Sequence, residues 1–201
     1  MLGAPKETPA RASARPEDFD VSARRGLHRV GGPVFHGWEH VRVEQWRSMN
    51  CQEKLREYRS WLAAAVQEAR AGAEAGGVPI GAVLVGSEGE ILGRGNNRRV
   101  QDDDPTAHAE TTAFRRAGRL RTYGATTMVT TLSPCWFCSG LVRQFGIGRI
   151  VIGEARNFHG GHDWLAEHGV EVVLLDDADC VRMMGDFIAE SPGLWEEDVG
   201  E

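Results

Sequence analysis

From Cys51 onward the apolar positions become regular, falling into helical spacing or short apolar runs that mark out the elements. Leu55, Tyr58, Leu62, Val66 and Ala69 recur at three- and four-residue steps, which predicts an amphipathic helix ending at Gly76-Gly77. Ile80 to Val85 and Ile91 to Asn96 are short apolar runs around Gly86-Ser87-Glu88-Gly89 and predict a β-hairpin. Thr106 is placed to cap a helix reaching about Arg116, with Pro105 and the acidic Asp102 to Asp104 ahead of it. A strand at Met128 to Thr131, a helix from Cys135 to Phe145 and a strand at Arg149 to Ile152 follow. The pattern ends with a helical segment near Trp164 to Glu167, a strand at Glu171 to Leu175 and a helix from Asp179 to Glu190. Strands alternating with helices predict an α/β layered domain, and a helix-bearing connection before the last strand favours parallel pairing there.

Residues 1 to about 48 show neither pattern. Pro, Arg, Ala and Gly are mixed there, which predicts an irregular extension over 1–50, a candidate for disorder, ahead of one domain over 51–201. At 201 residues the chain has room for one well-buried domain and not two. Its apolar stretches, such as Val172 to Leu175, are far below the ~20 residues of a membrane span, and no apolar secretory segment opens the chain. These features predict a cytoplasmic protein with no membrane partner.

Charge excludes another class of partner. The net charge is -6, and the asymmetry is larger: residues 51–201 carry fifteen Lys/Arg against twenty-three Asp/Glu. The last thirty residues hold nine acids and one base, Arg182. Such a surface repels a polyanion, so nucleic acid is not the expected partner.

Four cysteines are present, Cys51, Cys135, Cys138 and Cys180, and one pair is close in sequence. Cys135 and Cys138 sit three apart at a helix start, where both sulfurs face one way and the helix N-terminus favours the thiolate that binds zinc. Pro134 suits the entry to that first turn. Adding His108 gives a Cys2His set, one zinc per chain, with the fourth tetrahedral position left for water. Glu110, two residues after His108, lies about 200° around a helix from it, which suits a proton carrier better than a ligand. His-x-Glu followed by Pro-Cys-x-x-Cys is the signature of zinc base deaminases. Here it reads His108-Ala109-Glu110 and Pro134-Cys135-Trp136-Phe137-Cys138. A thioredoxin-like redox pair, or half of a structural zinc site, is what Cys-x-x-Cys alone would mean. His159 and His162 in the glycine loop read as ordinary surface or loop residues, and Gly93-Arg94-Gly95 lacks the third glycine of a dinucleotide fingerprint.

At these residues the chain resembles the cytidine deaminase superfamily, and within it the fungal-type cytosine deaminases. The resemblance runs from about Trp61 to Glu201 and includes Gly77-Val78-Pro79-Ile80-Gly81, Asn97 and Thr130-Thr131-Leu132-Ser133-Pro134-Cys135. It continues through Gly153-Glu154, Asn157-Phe158 and the tail Trp195, Glu197-Asp198, Gly200-Glu201. It implies a three-layer α/β/α sandwich on a mixed, mainly parallel five-stranded sheet, and a homodimer. It also implies that Asn97 bonds the carbonyl edge of the base, Phe158 and Trp195 wall the pocket, and Asp198 reaches the amino edge, with Ala109 and Ser133 also at the substrate. The implied reaction is hydrolytic deamination of free cytosine to uracil and ammonia by a zinc-activated water, a step of pyrimidine salvage, with Glu110 carrying the proton. Two positions depart from the fungal pattern: Ala109 stands where those enzymes have glycine, and Trp136 where they have a small or polar residue. Asp104-Pro105-Thr106-Ala107-His108-Ala109-Glu110 is more similar to tRNA adenosine and guanine deaminases. Another small amino-heterocycle, guanine- or creatinine-like, is the alternative substrate, and a non-catalytic zinc-stabilised domain the alternative class.

Overall fold

The computed structural model describes residues 48–200. The extension assigned to residues 1–50 lies outside the described residues except for its last three. The first helix, α1 (Cys51–Glu74), starts where the periodicity predicts. Asn50 caps it: its Oδ1 accepts the Glu53 N–H at 3.0 Å while a Glu53 carboxylate oxygen accepts the Asn50 N–H at 2.8 Å. The chain then forms β1 (Gly81–Val85), β2 (Ile91–Asn96), a one-turn α2 (Arg99–Asp102), α3 (Ala109–Ala117), β3 (Thr127–Leu132) and α4 (Trp136–Phe145). It closes with β4 (Arg149–Glu154), α5 (His162–Glu167), β5 (Glu171–Leu174), α6 (Ala178–Glu190) and α7 (Pro192–Val199). No helix among the described residues is long and apolar enough to cross a membrane.

The five strands form one mixed sheet in the order β2-β1-β3-β4-β5. β1 pairs antiparallel with both β2 and β3, and the β3–β4 and β4–β5 pairs are parallel. Side chains alternate between the two faces of each strand. Val83, Val85, Val129 and Val151 pack with Tyr58, Trp61, Leu62 and Ala65 of α1 and with Cys180 of α6. Ala82, Leu84, Met128, Ile150 and Ile152 pack on the other face with Ala109 and Ala113 of α3, Val142 of α4 and Leu165 of α5. The result is the α/β/α sandwich that the family resemblance implies.

Glycines let the layers approach to backbone contact, and this sets where the site lies. A Cβ on Gly81 would come within 2.0 Å of Ala65 O, and one on Gly95 within 2.4 Å of Ala113 N. Gly95 thus presses the start of α3 onto β2, fixing the helix end that carries His108 and Glu110.

Candidate active site

Two helix starts meet at the ends of β1 and β3. His108 is the residue before α3 and Cys135 the residue before α4, both with extended backbone. The predicted cap differs: Thr106 does not cap α3, because its N–H and hydroxyl both bond Asp104 Oδ1, in a turn ahead of the helix. Cys135 likewise precedes its helix instead of opening it. Because His108 is not helical, the angular argument that set Glu110 apart from it does not apply. What separates their roles is position, with His108 Nδ1 facing both sulfurs and the buried Glu110 reaching only Cys138 while lining the cavity.

His108 Nδ1 lies 3.4 Å from Cys135 Sγ and 3.7 Å from Cys138 Sγ, and the three donor atoms are all within 4.8 Å of one another. Zinc bonds of ~2.1 Å to nitrogen and ~2.3 Å to sulfur, set at tetrahedral angles, give ligand-to-ligand edges of ~3.6 Å. The observed separations bracket that value, so the donor set fits zinc in both chemistry and size.

The charges around these donors are strongly perturbed. Cys135 is drawn down to about 4, chiefly by the hydrogen bond from Cys138 and against its own burial. Cys138, buried and donating, is pushed well up. Burial works to lower His108, but the hydrogen bond with Cys135 and the charge of Glu110 outweigh it and raise His108 to about 9. Burial, helped by the charge on Cys135, raises the Glu110 carboxyl to about 7, in the range where a carboxyl both takes and returns a proton near neutrality. Its Oε1 is 3.4 Å from the Thr130 hydroxyl and its Oε2 3.4 Å from Cys138 Sγ.

A cavity of about 20 Å3 opens beside these residues, the space of one or two waters. Asn97, Ala109, Ser133, Phe158, Trp195 and Asp198, the six residues named from the sequence as substrate-binding, all line it with His108, Glu110 and Cys135. Phe158 and Trp195 meet edge to face, centroids 5.7 Å apart. Asn97 Nδ2 donates to Asp198 Oδ1 at 2.9 Å, tying the last helix to the end of β2.

Three supporting residues carry no role in the sequence reading. Arg99 reaches Asp198 Oδ1 at 3.1 Å with its guanidinium largely buried, so it anchors the tail from the other side. The acidic tail was the available signal, since carboxylates brought to a pocket require a cation nearby. Glu154 is fully buried, and its carboxylate accepts the backbone N–H groups of Arg156 and Asn157 and the Asn157 side chain. That turn delivers Phe158 to the pocket. His162 corrects the reading as a surface or loop residue: it is buried, with Nδ1 2.7 Å from Ser133 Oγ.

Residues 55–154 match the cytidine and deoxycytidylate deaminase zinc-binding region. The chain is 43% identical to the cytosine deaminase of Candida albicans over 142 residues, 70% of this chain and 95% of that protein. It is also 32% identical to a tRNA-specific adenosine deaminase of Streptococcus pyogenes serotype M18 over 149 residues, 68% of this chain and 92% of that protein. Among solved structures, one from studies of A-to-I editing by tRNA:A34 deaminases superposes with a TM-score of 0.55 at 27% identity, covering 62% of this chain and 99% of that one.

Proposed function

We propose that this chain, which belongs to the cytidine and deoxycytidylate deaminase family, hydrolyses free cytosine to uracil and ammonia. The observation that carries the reading is the single small cavity in which Asn97, Phe158, Trp195 and Asp198 surround Glu110 and the His108–Cys135 pair. Aromatic walls bury a planar ring, and two polar groups at its edges fix its orientation. Asn97 meets the carbonyl edge of the ring and Asp198 the amino edge. Trp195 and Asp198 reach the cavity from α7, so α7 acts as a lid over the bound base that excludes water. A free base fits behind such a closure, and a polynucleotide meets nine acids in the last thirty residues.

His108, Cys135 and Cys138 would hold one zinc. When bound, zinc supplies Lewis acidity that brings the ionisation of water close to neutrality. Glu110 takes a proton from the water whose oxygen adds to C4 and gives it to ring N3. It then carries the remaining hydroxyl proton to the amino nitrogen, so that the C4–N bond breaks, ammonia leaves and the C4 carbonyl of uracil forms.

Large apolar side chains remain exposed on α4: Trp136 at 67%, Phe137 at 53% and Phe145 at 46%. Trp136 and Phe137, adjacent at the start of α4, support a homodimer that covers them. Light scattering of the parent and of Trp136→Glu checks this, and a monomeric parent overturns it.

The similarity to a tRNA-specific adenosine deaminase, together with Ala109 in the cavity wall, makes the substrate screen decisive. Ammonia release should be measured with cytosine, cytidine, adenine, guanine, creatinine and an anticodon stem-loop RNA. Cytosine should lead, and cytidine should trail because Phe158 and Trp195 crowd the space a ribose needs. Equal kcat/KM for base and nucleoside, or a preference for the RNA, overturns the free-base reading.

A further inference from the structure

On the far side of Ser133 from the cavity, a second group of donor atoms converges. His159 Nε2 lies 3.0 Å from Asp163 Oδ2, and His162 Nε2 lies 3.6 Å from Asp163 Oδ1. The two imidazole rings are 4.5 Å apart, and one donor atom from each of the three residues lies within 4.8 Å of the other two. The loop that presents them has little freedom. A Cβ on Gly160 would come within 2.1 Å of Pro134 O, and one on Gly161 within 2.5 Å of Ser139 Oγ. Gly161 N–H also donates to Pro134 O at 2.8 Å.

We infer that His159, His162 and Asp163 form a second metal site, for a divalent transition ion such as zinc, whose occupancy sets the direction of the Ser133 hydroxyl. Two imidazoles and one carboxylate are ligands of the kind zinc, nickel and copper take. A tetrahedron with ~2.1 Å bonds to nitrogen and oxygen has edges of ~3.4 Å. The Asp163 carboxylate lies between the two imidazoles, one oxygen toward each, so a small turn of the carboxylate brings one oxygen and both nitrogens to that spacing. His159 and Asp163 are exposed, so an ion reaches the group from solvent.

His162 has the second feature of a metal-binding histidine, a partner fixed on its other ring nitrogen. That partner is Ser133 Oγ, 2.7 Å from Nδ1 with both residues buried. A metal at Nε2 needs the lone pair there and leaves the ring proton on Nδ1, which then donates to Ser133 Oγ. Oγ already accepts the Gly160 N–H at 3.0 Å. With both of its lone pairs engaged, the serine turns its own proton toward the cavity that it lines. With the ring proton on Nε2 instead, facing Asp163, Nδ1 accepts from Ser133 and the hydroxyl points away from the cavity. The ion thus acts on the pocket wall through one imidazole without touching the substrate.

Zinc itself is the probe. Protein dialysed against zinc in modest excess should hold one more zinc per chain than His159→Ala or Asp163→Asn treated identically. Both replaced side chains are on the surface, so the variants should melt with the parent. Nitrogen-15 NMR of the His162 ring should show the proton on Nδ1 in the parent at high zinc and not in His159→Ala. The KM of the parent for its substrate should respond to the second equivalent while that of His159→Ala does not. Equal zinc content in parent and variants overturns the site. An extra zinc that leaves His162 protonated on Nε2 overturns its action through Ser133. Zinc content and the NMR signal do not depend on which base is deaminated, so a failure of the cytosine assignment is told apart from a failure of this one.

Discussion

Asn97 and Asp198 stand 101 positions apart in the chain and are joined by a hydrogen bond of 2.9 Å at the mouth of the cavity. The bond couples two groups assigned to opposite edges of the substrate. Either residue replaced by alanine should lower kcat/KM by about 100-fold, and the double variant should lose less than the product of the two. Deleting residues 191–201 should cost more than ~100-fold while zinc content stays unchanged. A deletion within a few-fold of the parent would show that α7 is not part of the site.

Metal binding and proton transfer should separate by mutation. Cys138→Ser should lose the zinc of the cavity site and activity together, because the buried sulfur is a third of that donor set. Glu110→Gln should keep zinc and lose about a thousandfold in kcat. Metal analysis beside steady-state rates checks both, and a zinc-free, fully active preparation would contradict the mechanism.

Gly81→Ala should destabilise the fold by ~3 kcal/mol, since the added methyl meets the α1 backbone at 2.0 Å and cannot rotate away. Denaturant unfolding gives the value. Gly193→Ala has nothing within 4 Å of the added Cβ and serves as the control.

Acid should weaken a link between α1, β4 and β5. The Arg149 guanidinium, 2.7 Å from the Glu171 carboxylate, holds that carboxyl below its ordinary value against partial burial. Tyr58 OH donates to the same carboxylate at 3.4 Å. A carboxyl lowered in the folded state contributes stability that is present above its unfolded pKa and lost as pH falls through the folded value. Glu171→Gln should therefore lower stability at neutral pH and flatten its decline on the acid side of the ordinary glutamate range. Thermal melts across pH 2.5 to 7 read this directly, at roughly unit steps. Parallel curves for parent and variant would refute it.

Removing residues 1–48 should leave folding and activity intact. The helix that opens the domain carries its own Asn50–Glu53 capping box, which pairs the Asn50 and Glu53 N–H groups within residues 50–53. An insoluble or inactive truncation would show otherwise.

The sequence carried the layers and the site better than the points where elements begin. Short runs of apolar and β-branched residues identified β1, β3 and β4 because both faces of these strands are covered and every side chain has a layer to fill. The three donors and Glu110 were legible because metal and proton chemistry restrict both residue type and spacing. The start of α3 was not: Thr106 is a good cap by type, but the side chain of Asp104 takes both its N–H and its hydroxyl. α2 was missed because a single turn with no buried residue has no apolar period to read. Arg99 and Glu154 act through partners that only the fold brings near, Asp198 from the far end and the turn before Phe158. His162 looked like solvent-facing loop because glycines surround it, yet those glycines are what lets the loop press down and bury it.

His108 arrives from the antiparallel half of the sheet and the cysteines from the parallel half. They meet only after Ala82 of β1 has found Thr130 of β3. Closing that loop is slower than forming the β1–β2 hairpin or α1 alone. A chain part-way to the native state therefore has two cysteines but no third ligand, and its grip on zinc is weak. The ion captures a finished molecule and does not seed one. Refolding should run at nearly the same rate with or without zinc, while the unfolding rate falls as zinc is added, so that the metal lengthens the lifetime of the native state rather than hastening its arrival.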